Sequence, residues 1–223
     1  MKINRNDALR YMGFREAPDK KTSALIDRCE ERLLNAAKPR YVWRVFDVER
    51  SEDNKLRLSG CGFTLDGESI RGHLKGCTRA AVIAATLSAD ADRFLKKAAL
   101  EDGLTGLICD ALASAYAESV SEKARTEVLE RMEGFSGTWV FAAGYGDFPL
   151  ETACFLVECA DAGRKIGVSC TESSMLIPQK TIVGIMGLSE NAPDSARRSC
   201  DGCNMKERCQ FRKNGGHCGS DGE

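Results

Sequence analysis

Histidine is scarce in this chain: His73 and His217 are the only two. That excludes an H-E-x-x-H zinc site and leaves no Ser-His-Asp set to assemble, and no P-loop is present. Long apolar runs are missing as well. None approaches the roughly 20 residues needed to span a bilayer, so no membrane association is expected. Charge of one sign is not in excess, with 32 Lys and Arg against 33 Asp and Glu and a net charge of -1. The two signs are interspersed, which gives no phosphate-binding stripe and no expected nucleic-acid partner. The first ten residues are polar and charged rather than a secretory leader, so the expected location is cytoplasmic and disulfides are not expected.

Cysteine is plentiful, with 11 residues. Seven of them (Cys29, Cys61, Cys77, Cys109, Cys154, Cys159, Cys170) stand among apolar neighbours and read as small buried hydrophobes. The other four form C-x2-C-x5-C-x8-C at Cys200, Cys203, Cys209 and Cys218, in a Gly-rich polar tail. That tail has little to bury beyond Met205 and Phe211, so a metal centre is the expected source of its order. Zinc sites usually pair two short knuckles, and only Cys200 and Cys203 make one. A compact three-cysteine run with a distant fourth ligand favours a [4Fe–4S] cluster, with zinc as the alternative. His217 is an alternative to Cys218 as fourth ligand. Arg208, Arg212 and Lys213 either offset the charge of such a cluster or form a solvated basic face.

A chain of 223 residues buries about 70% of its unfolded surface in one core, which suits one domain over 1–190 and a small appendage over 191–223. Helices are expected over 4–12, from a Ser23 cap to Ala37, from Asp90, and over a long stretch from Leu104 to Met132. The long helix shows an apolar stripe at Leu104, Leu107, Ile108, Ala111, Leu112 and Ala115. Strands are expected at Tyr41–Val48, Leu56–Leu58, Gly62–Leu65, Ala80–Leu87, Ile166–Cys170 and Thr181–Leu188. Pro149 fits the first turn of a helix running to Ala162. Strands and helices without strict alternation argue an α+β fold: a mostly antiparallel twisted sheet with helices packed to one side.

The most suggestive segment is Ala142-Ala143-Gly144-Tyr145-Gly146-Asp147-Phe148-Pro149. Its glycines allow close backbone approach to a ligand. A helix N-terminus behind it offers N–H groups that suit a carboxylate, and Tyr145 can stack on a ring or donate from its hydroxyl. A tight turn leading into a helix is the plainer reading. Thr171-Glu172-Ser173-Ser174 lines a pocket or is a self-bonded surface turn. His73 reads as structural.

Taken together, Gly144-Tyr145, the helix from Pro149, the stretch Ile166-Gly167-Val168-Ser169-Cys170-Thr171-Glu172-Ser173-Ser174-Met175-Leu176-Ile177-Pro178 and the strand through Gly184 resemble the activation (reactivation) domain of cobalamin-dependent methionine synthase. The helix from Asp110 to Glu118 resembles that domain's central helix. The likeness covers roughly residues 40–190 and points to a short, free-standing form. It implies a domain that binds S-adenosylmethionine and sits over cobalamin carried by a partner, supporting reductive methylation of cob(II)alamin. The resemblance places Ala142, Gly144, Tyr145 and Glu172 in the S-adenosylmethionine site. Two positions depart from the pattern. Val140 stands where the family has a carboxylate-gripping Arg, and Ile185-Met186 where it has a Tyr. A charge-assisted bond of that kind is typically worth ~1.5–3 kcal/mol. The chain lacks the D-x-H-x-x-G motif of a cobalamin module, so the implied partner is a separate methionine synthase or other corrinoid protein. The tail cluster is a possible electron relay in that system. Two alternatives remain: a non-catalytic corrinoid-binding or electron-transfer module with a degraded S-adenosylmethionine site, and a zinc-stabilised interaction protein.

Overall fold

The run Arg79–Thr86 (β4) is apolar on every side chain after Arg79 except Thr86, and all seven of those residues are buried. A strand covered on one face alternates; one covered on both does not. The computed structural model, which describes residues 1–51, 55–191 and 207–213, accounts for the pattern. β4 lies in the middle of a sheet, antiparallel to Arg40–Arg50 (β1) on one side and Thr181–Ser189 (β9) on the other. Beyond β1 come Leu56–Leu58 (β2) and Thr64–Leu65 (β3), and β9 also pairs with the short strands Ser136–Gly137 (β5) and Phe141–Ala142 (β6). Every pairing is antiparallel. A separate hairpin joins Ser169–Cys170 (β7) to Leu176–Ile177 (β8). This is the α+β architecture expected from the sequence, but the helices cover both faces rather than one.

One face is occupied by Gly103–Arg131 (α5), which packs on β1, β4 and β9. Behind it lie Arg5–Tyr11 (α1), Lys20–Ala36 (α2) and Ser88–Glu101 (α4). Ala-rich stretches let α5 approach the sheet closely. Its buried set is Ile108, Ala111, Leu112, Ala115, Val120, Ala124 and Val128 among others. Leu104 and Leu107, expected in the stripe, are more than half exposed, because the buried side of the first turn is set by Thr105 and Ile108. α2 is capped four residues earlier than expected, by Asp19 rather than Ser23: the Asp19 carboxylate accepts from the N–H of Lys21 and Thr22 at 2.8 and 3.0 Å.

The other face carries Glu68–His73 (α3), Thr152–Cys159 (α6) and Ala162–Ile166 (α7) over Ala80, Val82, Ala84, Val183 and Ile185. The single helix expected from Pro149 to Ala162 is broken here. Asp161 takes a left-handed conformation (φ 55°) and starts α7, which Gly167 ends at φ 72°. The strand expected from Ile166 is therefore only Ser169–Cys170. A single helical turn, Gln210–Lys213 (α8), is described in the tail.

Candidate ligand site at the Gly144–Tyr145 turn

The turn hangs between β6 and α6. Ala142 pairs with Gly184 of β9, and the backbone then folds on itself. Gly144 N–H donates to the Phe148 carbonyl at 2.9 Å, Tyr145 N–H to Ala142 at 3.3 Å, and Phe148 N–H to Tyr145 at 2.9 Å. Gly144 and Gly146 have φ of 88° and 58°, a region that glycine occupies without strain. At Gly146 a Cβ would lie 2.1 Å from Ser69 Oγ, so the glycine is also needed for closeness to α3.

Asp147 fixes that closeness. Its two carboxylate oxygens accept from the N–H groups of Glu68 and Ser69 at 2.7 and 2.8 Å, and Ser69 Oγ accepts from Asp147 N–H at 3.3 Å. α3 has Gly67 at its N-cap position and no cap of its own. Asp147 therefore supplies the cap from almost 80 residues away. The bonds from the Ser69 and Glu68 N–H groups hold its carboxyl down to about 2. Sequence reading missed Asp147, because capping signatures are sought next to the helix they cap.

Beneath the turn lies an aromatic cluster. The Tyr145 ring meets Trp139 edge-on at 5.5 Å and Phe141 at 5.8 Å, and His73 packs against Trp139 and Phe141 at 5.2 and 4.7 Å. His73 is 4% exposed, and its Nε2 lies 2.7 Å from Thr138 Oγ1, which also accepts from Gly187 N–H at 2.8 Å. Burial pushes the imidazole down to about 4, so it is neutral at pH 7. The structural role read for His73 agrees with this placement.

Tyr145 itself is 40% exposed, with Leu150 47% exposed after it. The Gly144 Cβ position faces Leu150 Cδ1 at 3.4 Å. The helix N-terminus does not behave as expected for a carboxylate site. The N–H groups of Thr152, Ala153 and Cys154 are used by the carbonyls of Pro149, Leu150 and Glu151 in a tight lead-in turn.

Glu172 is exposed in the β7–β8 hairpin loop. The loop bonds to itself, with Ser174 N–H on the Thr171 carbonyl and Met175 N–H on Thr171 Oγ1. α6 connects it to the turn: Pro149 precedes α6, and Cys154 within it is disulfide-bonded to Cys170, two residues before Glu172. That disulfide corrects the expectation that body cysteines are simple buried hydrophobes. The periodicity of each segment gave no hint of which cysteines would meet.

Val140 and Met186 share one place, while Ile185 is buried on the opposite face. Val140 is 6% exposed and Met186 fully buried, both in an apolar cluster with Ala81, Ile83, Ala124, Val128 and Leu188. These positions are part of the core beneath α5, with no cation among them. Of the cysteines expected to hold a metal in the tail, Cys200, Cys203 and Cys218 lie outside the described residues. Cys209 is half-buried, and its sulfur accepts from Arg212 N–H at 3.5 Å. Among the described residues no group of three or more His, Cys, Asp or Glu side chains is placed to hold a metal ion, and no helix is long and apolar enough to cross a membrane.

No protein-family model matches the chain, and no curated protein sequence does. A search of solved structures finds the crystal structure of the MetH reactivation domain bound to AdoHcy, at 18% identity and a TM-score of 0.52. The match covers 95% of this chain and 74% of that one. At that identity the likeness is one of fold: an antiparallel sheet between helices, arranged as in a reactivation domain.

Proposed function

We propose that this protein reactivates a separate cobalamin-dependent methionine synthase, or a related corrinoid protein, and that the Gly144–Tyr145 turn binds S-adenosylmethionine for that purpose. The observation that carries the reading is the reactivation-domain fold over nearly the whole chain, with a Gly-Tyr turn pinned at the surface. The solved neighbour holds AdoHcy, the product left when S-adenosylmethionine gives up its methyl group. Here the sulfonium methyl would be supplied to an oxidised cobalamin once an electron has reduced it.

The chain's own residues have three tasks. Tyr145 offers a ring face and a hydroxyl to the adenosyl group. Ala142 offers a carbonyl, and Glu172 a carboxylate on the loop tied to α6. Exposed apolar side chains on the elements after the turn (Leu150, Phe155, Met175, Ile177) suit a partner's surface around a corrinoid. The four tail cysteines belong to the same proposal as ligands of a [4Fe–4S] cluster passing the electron, with zinc as the structural alternative. Anaerobic purification with a visible spectrum and metal analysis separates these: brown protein with iron supports the relay, and colourless zinc protein removes it.

The test of the main reading is methylation of a corrinoid partner inactivated as cob(II)alamin, in the presence of reductant and S-adenosylmethionine, with and without this protein. Activity restored by the wild type and not by Tyr145→Ala supports it. A second reading is favoured by Val140 and Met186, whose apolar burial removes two polar contacts from the site. In that reading the protein docks on a corrinoid partner without S-adenosylmethionine. Partner binding that persists while S-adenosylmethionine gives neither binding heat nor thermal protection selects it.

A further inference from the structure

Six of the seven body cysteines meet in three pairs. Cys154 and Cys170 are bonded. Cys29 and Cys109 hydrogen-bond to each other but are buried between α2 and α5. Cys61 and Cys159 differ from both. They are unbonded, their sulfurs lie 2.7 Å apart, and each is partly exposed. They sit 98 residues apart in the sequence, in a surface hollow of about 360 Å³ that also includes Arg44, Phe63, Phe155 and Glu158.

We propose that Cys61 and Cys159 form a thiol–disulfide exchange site that reacts with small-molecule disulfides and closes to an intramolecular disulfide. This assignment is independent of the reactivation reading.

The placement of the two thiols divides the roles. Cys61 stands on the β2–β3 loop at the hollow, where an incoming disulfide reaches it, and the Cys159 sulfur lies against it at 2.7 Å, placed to resolve the adduct. Burial and the neighbouring Cys61 push the Cys159 thiol up to about 12, so it stays protonated until its turn. Arg44 stands beside the pair, its Nη1 donating to the Cys159 carbonyl at 3.0 Å; its charge favours a thiolate there, and Glu158 opposes it. Phe63 and Phe155, stacked at 5.0 Å, wall the hollow.

Closure needs the sulfurs to move from 2.7 Å to a bond of about 2.05 Å. The loop has room for it. Gly60 turns the chain at φ 73°, and nothing lies within 4 Å of where its Cβ would be. The bond would tie the β2–β3 loop to the end of α6.

The chemistry balances without another reagent. The Cys61 thiolate attacks one sulfur of R–S–S–R, forming Cys61–S–S–R and releasing RS⁻, which takes up a proton. Cys159 then gives up its proton and attacks the Cys61 sulfur, expelling the second RS⁻. Two protein thiols are oxidised by two electrons, and one small disulfide is reduced to two thiols.

The experiment is anaerobic incubation of the reduced full-length chain with hydroxyethyl disulfide, followed by peptide mapping. The expected product is a cross-linked peptide pair holding Cys61 and Cys159, reversed by excess dithiol. Cys159→Ser should trap a stable mixed disulfide on Cys61. Cys61→Ser should leave Cys159 reacting more slowly by at least about tenfold. Heat unfolding of both variants checks that the fold is kept. The proposal is overturned if Cys61 and Cys159 stay thiols while the denatured chain reacts. It is equally overturned if the adduct in Cys159→Ser is not on Cys61, or if the two single variants react at the same rate.

Discussion

The two faces of the sheet do different work. Under α5 most contacts are apolar and close-packed: Ala81, Ile83, Ala124, Val128, Val140, Met186 and Leu188 form one cluster, flanked by the Tyr41–Glu127 and Arg125–Thr138 hydrogen bonds. On the opposite face the same strands support a buried His73–Thr138 pair, an aromatic cluster, a glycine turn and the disulfide-tied hairpin. The first face is described mainly by burial. The second needs specific partners at specific distances, and each is a place where a ligand or a proton could act. The contrast separates a packing face from a face rich in specific contacts on one scaffold, and β9 serves both.

The largest effect should come from damaging the quiet face. Leu112 is fully buried within the helical layer behind the sheet. Leu112→Ala is expected to cost about 2–5 kcal/mol in denaturant unfolding. Ligand affinity of the remaining folded protein should be unchanged.

Acid should find the other face. The imidazole of His73 is neutral in the folded chain down to about 4, against 6.5 unfolded. The unfolded chain therefore binds the extra proton first. Stability from the neutral pair is full above pH 6.5 and falls as pH drops toward 4, by up to about 3 kcal/mol. Urea midpoints across that range should show the fall, and His73→Gln should flatten it.

Gly146→Ala sharpens the comparison further. The new Cβ meets Ser69 Oγ and forces a left-handed alanine, at a cost of order 1–3 kcal/mol. Because the turn and α3 are displaced together, binding of an S-adenosyl ligand should fall by more than stability does, read by calorimetry beside heat unfolding. The smallest effect belongs to the surface. Breaking the exposed Arg32–Glu101 pair, whose shortest contact is 2.7 Å, should leave the urea midpoint almost where it was, because solvent screens both charges.

Much of the quiet face was legible in the sequence. The apolar run of β4, the aromatic and β-branched β1 and the length of α5 each announce themselves, because burial leaves a periodic trace along one segment. The opposite face was harder to see. Strands β5, β6 and β8 have two residues each, too short for any period. The α6–α7 break depends on one left-handed aspartate. Asp147 caps a helix from a distant segment, and the cysteine pairs form between elements up to 98 residues apart. The Gly-Tyr turn was legible as a turn, since its glycines mark it. That the N–H groups of Gly144, Tyr145 and Phe148 are taken by the turn's own carbonyls was not.

Titration calorimetry is the most direct test of whether the Gly144–Tyr145 turn is a ligand site. S-adenosylhomocysteine titrated into the full chain should give saturable binding to one site, lost in Tyr145→Ala while heat unfolding of that variant stays cooperative. No binding to the wild type, or equal binding to both proteins, would contradict it.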